Sequence, residues 1–149
     1  MKAILCILNL KHEKNQISIL RTANFFGINT VFVLGEKLKK SEKQCMSSHR
    51  NMKIRYFSME WELINSLKSK GYELVLMELN NNSVPVETFK FPEKCAIMTG
   101  HENMGFSDEL LNSADHVVHI SKGETKVKSL NTAIACGIGL YEYFKQWNK

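Results

Sequence analysis

The signatures of several common protein classes are missing from this chain. No apolar run approaches the roughly 20 residues that a helix needs to cross a bilayer, so the sequence predicts no membrane segment. The four cysteines form no CxxC pair. Cys45 and His49 have the spacing of metal ligands, but no second pair completes a zinc site. We therefore expect reduced thiols and no bound metal.

The glycine motifs of nucleotide-binding folds are also missing. The segment Gly100–Gly105 has glycines on both sides of a carboxylate, but it lacks the GxGxxG spacing, and the chain has no Walker A motif. A Rossmann-type nucleotide-binding enzyme is therefore disfavoured. The apolar stretch from Ala3 to Leu10 superficially resembles a signal peptide, but Asn9 interrupts it and it has no small-residue cleavage site. We interpret it as a buried strand and expect a cytoplasmic protein.

What is present is the composition of one ordinary globular domain spanning residues 1–149, with 44% hydrophobic and 23% charged residues. The net charge of +5 is concentrated between Lys37 and Arg55, where seven basic residues face one acid, Glu42. This segment is either a solvated loop or a surface that contacts RNA phosphates. The candidate RNA-binding residues are Lys39, Lys40, Lys43, Arg50 and Lys53.

Apolar, β-rich runs alternate with helical patterns along the chain. The predicted strands are Ala3–Leu8, Thr30–Leu34, Ile54–Phe57, Glu73–Met77, Lys94–Thr99 and Val117–Ile120. The predicted helices are Asn15–Phe26, Glu60–Lys70, a short helix capped by Ser107 that ends at Asn112, and Lys128–Trp147. This alternation predicts an α/β domain with a mainly parallel sheet flanked by helices. Ligands bind beyond the carboxyl ends of such strands, which directs attention to Met77–Asn82, Gly100–Gly105 and Ser121–Lys128.

Three short segments carry the polar groups that chemistry needs. The first has Asn15 at a predicted helix start and Arg21 six residues later. The second is Gly100–Gly105, and the third places Ser129 and Asn131 at the predicted start of the last helix. Taken singly, each has a simpler interpretation as a helix cap, a surface arginine or a turn. An arginine fork could instead hold a phosphate or a developing oxyanion.

Taken together, the order and spacing of these segments resemble the three motifs of SpoU (TrmH) RNA methyltransferases. Asn15 and Arg21-Thr22-Ala23 resemble motif 1, and Gly100-x-Glu102-x-x-Gly105 resembles motif 2, which continues into an ADxxVxI-like stretch at Ala114–Ile120. Ser129-Leu130-Asn131 resembles motif 3. The chain departs from the family where Ile17 and Ser18 replace Gly and Ala, and where Ser121 and Lys122 follow Ile120 in place of Pro. The Ser121 change is expected to loosen the cofactor loop.

The resemblance implies a homodimeric, S-adenosylmethionine-dependent RNA ribose 2′-O-methyltransferase with a C-terminal trefoil knot, acting on tRNA or, less favoured, rRNA. It implies that Arg21 holds the substrate phosphate, which could take the proton of the 2′-hydroxyl, and stabilises the alkoxide. A deprotonated Arg21 that acts as the base is the less favoured variant. Asn15 and Glu102 would orient Arg21 or the ribose, while Ser129 and Asn131 would order the pocket. The residues implied to bind the cofactor are Met77, Glu78, Leu79, Thr99, Gly100, His101, Glu102, Gly105, Ile120, Ser121, Lys122, Lys128, Ser129 and Leu130. The alternative is a non-catalytic RNA-binding or assembly factor, which the retention of Arg21, Glu102 and Asn131 disfavours.

Overall fold

Parallel strands dominate the computed structural model, which describes residues 1–38 and 51–148. Within them, seven strands form one sheet in the order β3-β2-β1-β6-β4-β7-β5, and every pairing of neighbouring strands is parallel. The strands are β1 Ile4–Leu8, β2 Thr30–Leu34, β3 Lys53–Phe57, β4 Glu73–Met77, β5 Val84–Pro85, β6 Cys95–Thr99 and β7 His116–His119. The helices are α1 Glu13–Phe25, α2 Glu60–Lys68, α3 Asp108–Ser113 and α4 Thr132–Trp147. The predicted α/β class with a mainly parallel sheet is confirmed.

The sheet is buried on both faces, which explains why its central strands are continuous apolar runs. Successive side chains of a strand point to opposite faces. In β1, Leu5 and Ile7 accordingly join the core under α1 and α4, whereas Cys6 joins the core under α2 and α3. Among the described helices, none is long and apolar enough to cross a membrane.

Three cysteines lie in these cores, as the sequence predicted. Cys6, Cys95 and Cys136 are buried and form no disulfide. Burial raises the pKa of the Cys95 and Cys136 thiols to about 12. At neutral pH these thiols stay protonated and unreactive.

The start of the last helix was predicted wrongly. The prediction began it at Lys128, but α4 begins at Thr132 with Asn131 as its N-cap. Asn131 Oδ1 accepts hydrogen bonds from the backbone N–H groups of Ala133 at 2.8 Å and Ile134 at 3.4 Å. These bonds satisfy the free N–H groups at the helix start. Ser129 therefore lies in an exposed loop before the helix rather than on it.

The start of α1 and one edge strand also differ from the prediction. Asn15 does not start α1, because the helix begins at Glu13 with His12 at its N-cap. The side chain of Asn15 is thus free for a tertiary contact. The prediction also missed β5, a two-residue edge strand containing Pro85. Such a short segment with proline carries no strand signal in the sequence, and proline is tolerated only at a sheet edge.

The predicted short helix and its cap are confirmed. Ser107 Oγ accepts a hydrogen bond from the N–H of Leu110 at 3.2 Å, and α3 follows it. Of the candidate RNA-binding residues, Lys53 begins the edge strand β3 and is exposed. The others, Lys39, Lys40, Lys43 and Arg50, lie outside the described residues.

Candidate active site

A cavity of about 640 Å³ opens where three neighbouring strands end. Its walls come from the segments after β4, β6 and β7 and from the loop before α4. These strands lie side by side in the sheet, so their carboxyl ends deliver chemically useful loops to one place. The cavity has the size of pockets that hold cofactors and other small ligands.

Nearly all the residues predicted to bind a cofactor line this cavity. They are Met77, Glu78, Leu79, Gly100, His101, Glu102, Gly105, Ile120, Ser121, Lys122, Lys128, Ser129 and Leu130. Thr99 is the exception: it is a buried residue of β6, 3% exposed, and does not line the cavity. The geometry therefore brings thirteen of the fourteen predicted residues to one cavity.

Nine further residues line the cavity, four of them inside segments to which the sequence directed attention and five outside those segments. They are Asn103, Phe106, Val118, His119, Gly123, Thr125, Val127, Thr132 and Ala135. Most follow directly from the same strand ends and could have been found by extending each predicted segment. Thr132 and Ala135 are three residues apart on α4, and that spacing places them on one helix face.

Three of the predicted catalytic residues form a hydrogen-bonded chain at the N-terminal end of α1. Asn131 Nδ2 donates to Asn15 Oδ1 at 3.1 Å, and Asn15 Nδ2 donates to Glu102 Oε1 at 3.0 Å. The parallel pairing of β1 with β6 explains the meeting, because it places the residues after both strands at the same edge. We call these three residues the Asn15–Glu102–Asn131 network.

Glu102 accepts hydrogen bonds through both of its carboxylate oxygens. Besides Asn15, the backbone N–H groups of Lys11 and His12 approach its two oxygens, each at 3.4 Å. Burial alone would raise the pKa of this carboxyl, but the bonds from Asn15, Lys11 and His12 together with the nearby His12 ring lower the pKa below its ordinary value. Glu102 is therefore an ionised acceptor that holds its neighbours, and it is poorly suited to donate a proton.

Arg21 and Ser129 lie outside this network. Arg21 is exposed on α1 and does not line the cavity. Six residues of helix place Arg21 about 120° around the helix axis from Asn15. Within one copy of the chain, the two side chains therefore point to different sides of α1. Ser129 does line the cavity, from the exposed loop before α4.

His101 orders the loop after β6 through its ring. Nδ1 accepts hydrogen bonds from the N–H groups of Asn103 at 3.1 Å and Met104 at 3.3 Å. A ring nitrogen that accepts carries no proton, so the proton of the neutral ring lies on Nε2. Within the described part of the chain, Nε2 is buried and has no hydrogen-bond partner. His101 thus keeps one buried donor without a described partner.

Gly105 closes this loop in a conformation that favours glycine. Its φ is +63°, and a Cβ built on it would lie 2.5 Å from the Glu78 carboxylate. The Gly105 N–H donates to the His101 carbonyl at 3.1 Å. Glycine alone tolerates both the conformation and the close approach, so this position lets Glu78 lie against the loop at the cavity wall.

No group of acidic, histidine or cysteine side chains suited to holding a metal exists among residues 1–38 and 51–148. The candidate site is therefore built from amides, carboxylates, hydroxyls and backbone groups.

Comparison with known proteins decides the family. The model of the SpoU rRNA methylase family matches residues 2–141 of the chain. The chain belongs to the SpoU rRNA methylase family. It is 28% identical over 141 residues to a tRNA (guanosine(18)-2′-O)-methyltransferase of Aquifex aeolicus, covering 93% of this chain and 66% of the relative. It is 30% identical over 140 residues to the protein of the same name from Borreliella burgdorferi, covering 92% of this chain and 63% of that relative. The chain thus spans slightly under two thirds of the length of these two relatives.

Two solved structures share the fold. The A. aeolicus TrmH/SpoU tRNA modifying enzyme has a TM-score of 0.90 and 27% identity, covering 99% of this chain and 76% of that one. A putative RNA methyltransferase from Bacillus anthracis has a TM-score of 0.81 and 21% identity, covering 98% of this chain and 94% of that one. The B. anthracis structure shows the fold alone, and the shared fold covers nearly the whole of that chain, which is similar in length to this one.

Proposed function

We propose that this SpoU-family chain is an S-adenosylmethionine-dependent RNA ribose 2′-O-methyltransferase that acts on tRNA. The observation that carries the proposal is the cavity at the strand ends with the Asn15–Glu102–Asn131 network beside it. The names of relatives as tRNA (guanosine(18)-2′-O)-methyltransferases support tRNA as the substrate. The family description names rRNA, which is the second substrate to test.

The cavity fits S-adenosylmethionine in size and in chemistry. Its volume of about 640 Å³ suits a ligand of this size. Leu79, Ile120 and Leu130 supply apolar surface that suits an adenine ring. The carboxylates of Glu78 and Glu102 put negative charge beside the cavity, which suits a positively charged sulfonium.

S-adenosylmethionine supplies a methyl group that is electrophilic because it is carried by a positively charged sulfur. The protein then has to orient a ribose 2′-hydroxyl and handle its proton. A guanidinium stays protonated in proteins, so we assign Arg21 to holding the substrate phosphate, which accepts the proton of the 2′-hydroxyl, and to stabilising the alkoxide rather than to removing the proton itself. The Asn15–Glu102–Asn131 network orients the ribose.

We further propose that a second copy of the chain completes the site. On α1, Phe25 is 83% exposed, and on α4, Ile134 and Tyr141 are 57% and 48% exposed. The two helices pack against each other. The ring centroid of Phe26, the residue after α1, lies 5.9 Å from that of Tyr141 on α4. Arg21 is four residues from Phe25 and shares its helix face. Pairing of two copies through this surface, which we call the α1–α4 face, would bury the apolar side chains and bring Arg21 to an interface.

The finer architectural expectations belong to the same proposal. Membership of the SpoU family and the fold shared with the A. aeolicus TrmH/SpoU enzyme support a trefoil knot formed by the C-terminal part of the chain. One continuous sheet supports a single methyltransferase domain over the chain. A tRNA substrate would place the protein in the cytoplasm.

The decisive experiment has two arms. Calorimetry should show binding of S-adenosylmethionine and no binding of NAD or ATP. Incubation with methyl-labelled S-adenosylmethionine and either tRNA or rRNA, followed by nucleoside mass spectrometry, should show a 2′-O-methylated nucleoside from tRNA. Folded protein that binds no S-adenosylmethionine would contradict the proposal and favour a non-catalytic RNA-binding factor.

A further inference from the structure

The loop between β7 and α4 forms one wall of the cavity but is held by few bonds of its own. Every residue from 121 to 130 is exposed, and Ser121–Gly123, Thr125 and Val127–Leu130 line the cavity. The one internal hydrogen bond described runs from the Val127 N–H to Thr125 Oγ1 at 3.2 Å. The position of this wall therefore depends on the points where its two ends are attached. We call residues 121–130 the cavity loop.

One end of the cavity loop is held by a carboxylate from a distant part of the chain. Glu87 Oε1 accepts a hydrogen bond from the Ser121 N–H at 3.0 Å, and Glu87 Oε2 accepts one from Ser121 Oγ at 3.1 Å. Both carboxylate oxygens thus grip a single residue. Both donors of Ser121 are thereby used, which leaves its carbonyl oxygen and the lone pairs of its hydroxyl as acceptors that could meet a ligand.

The hydrogen bonds between Glu87 and Ser121 continue a series of contacts between the β5 segment and the end of β7. Pro85 pairs with His119, and the Val86 N–H donates to the His119 carbonyl at 2.8 Å. Ser83 Oγ lies 2.9 Å from His119 Nδ1. Glu87 comes directly after Val86, which is fully buried. The backbone ladder fixes Glu87 opposite Ser121, so its carboxylate needs little ordering to make both bonds.

The other end of the cavity loop is held by Asn131, which caps α4 and donates to Asn15. From these attachments we infer that Glu87 is a positioning residue for cofactor binding: it anchors Ser121 and so sets the wall of the cavity. The inference rests on the proposed function, since it names S-adenosylmethionine as the ligand. Glu87 itself does not line the cavity.

The electrostatics of Glu87 agree with an ionised anchor. Its pKa is lowered, first by a hydrogen bond from its own backbone N–H and then by the two bonds from Ser121 and the nearby His119, against the opposing effect of burial. An ionised carboxylate accepts stronger hydrogen bonds than a neutral one. The anchor is therefore fully formed at neutral pH.

The test compares Glu87→Ala, Glu87→Gln and Ser121→Ala with a control, Glu124→Ala. Glu124 is exposed in the cavity loop and does not line the cavity, so its substitution removes the same charge nearby without removing an anchor. Loss of two hydrogen bonds of ordinary strength predicts that Glu87→Ala weakens S-adenosylmethionine binding about tenfold in calorimetry. Glu87→Gln keeps one acceptor oxygen and should fall between Glu87→Ala and the unmodified protein. Glu124→Ala should bind within about twofold of the unmodified protein.

Two readouts separate positioning from a general loss of structure. Glu87→Ala should keep kcat within about twofold of the unmodified protein, while KM for S-adenosylmethionine rises. The reason is that the anchor helps to bind the cofactor equally in the ground state and in the transition state. In a double-mutant cycle, Glu87→Ala should have less effect when Ser121 is already alanine. Hydrogen exchange of the protein without ligand should show faster exchange of the Ser121 amide in Glu87→Ala and not in Glu124→Ala.

The outcomes are distinguishable. Unchanged Ser121 exchange in Glu87→Ala, or a loss of binding no greater than in Glu124→Ala, would overturn the anchor. If the unmodified protein binds no S-adenosylmethionine, the proposed function fails, and hydrogen exchange then decides alone whether Glu87 holds Ser121.

Discussion

Asn131 donates a hydrogen bond to Asn15 at 3.1 Å although 116 residues separate them in the chain. The same Asn131 side chain caps α4 through its oxygen. One residue thus links the start of α4 to the first helix and, through Asn15, to Glu102. Its two functions use different atoms, so a substitution can separate them.

Asn131→Ser should preserve the fold and lose activity. Serine is a good N-cap, so stability should change by less than about 0.5 kcal/mol, whereas Asn131→Ala should lose about 1 kcal/mol by removing the cap. Both variants lack the amide that donates to Asn15, and both should lose most methyl transfer. Urea unfolding and tRNA methylation measure the two effects. Full activity of Asn131→Ser would show that the link to Asn15 is dispensable.

The central strands were predictable because their sequences carry their own evidence. The buried runs of β1, β2 and β6 are apolar throughout, which indicates a sheet covered on both faces. The edge strand β5 was not predictable, because two residues give no periodicity and one of them is Pro85. It forms only because the end of β7 offers it a partner.

The candidate site was predictable in its location but not in its contacts. The ends of parallel strands meet at one edge, so Glu78, Gly100 and Ile120 could be assigned to one cavity from the order of the elements. The expectation that Ser121 loosens the cofactor loop took no account of Glu87, which grips it. The two residues are 34 positions apart, and no local pattern links them.

Arg21→Ala should abolish methyl transfer and leave the fold and S-adenosylmethionine binding nearly unchanged. Arg21 is exposed and does not line the cavity, so its loss removes no buried contact. A group that stabilises transition-state charge contributes about 3–4 kcal/mol, or roughly 10²–10³ in rate. Single-turnover methylation of tRNA and calorimetry with S-adenosylmethionine measure the two effects.

Arg21→Lys is the matched variant for this prediction. It keeps the positive charge but not the planar fork of donors, so it should also fail. If Arg21→Ala retains more than about a third of the rate, the loss falls far below that expected of such a group. The role of Arg21 would then have to be abandoned, and Asn15 and Glu102 would be the next candidates.

Phe25→Glu should convert the protein to a monomer and suppress methyl transfer. Phe25 is 83% exposed on α1 within the α1–α4 face, and a charge placed there cannot be buried against a second copy without a large cost. Trp61→Glu is the control, because Trp61 is 53% exposed on α2, on the opposite face of the sheet. Sedimentation velocity should show a dimer for the unmodified protein and for Trp61→Glu. A monomer in the unmodified protein at high concentration would contradict the proposed dimer.

Glu102 predicts a specific dependence of stability on pH. Its pKa is lowered in the folded protein, so above the unfolded-state pKa of about 4.3 it stabilises the fold, and that contribution is lost as the pH falls through the lowered value. Glu102→Gln removes the titrating group while keeping the shape of the side chain. The variant should therefore be less stable than the unmodified protein at pH 7, and the difference should shrink towards pH 3.

Urea unfolding of both proteins at intervals between pH 7 and pH 3 measures this difference directly. Glu124→Gln is the matched control, since Glu124 is exposed in the cavity loop, outside any helix, and forms no described hydrogen bond through its side chain. Its stability should follow that of the unmodified protein at every pH. A Glu102→Gln difference that stays constant with pH would mean that the bonds from Asn15, Lys11 and His12 do not favour the ionised carboxylate, and Glu102 would then be free to carry a proton in the reaction.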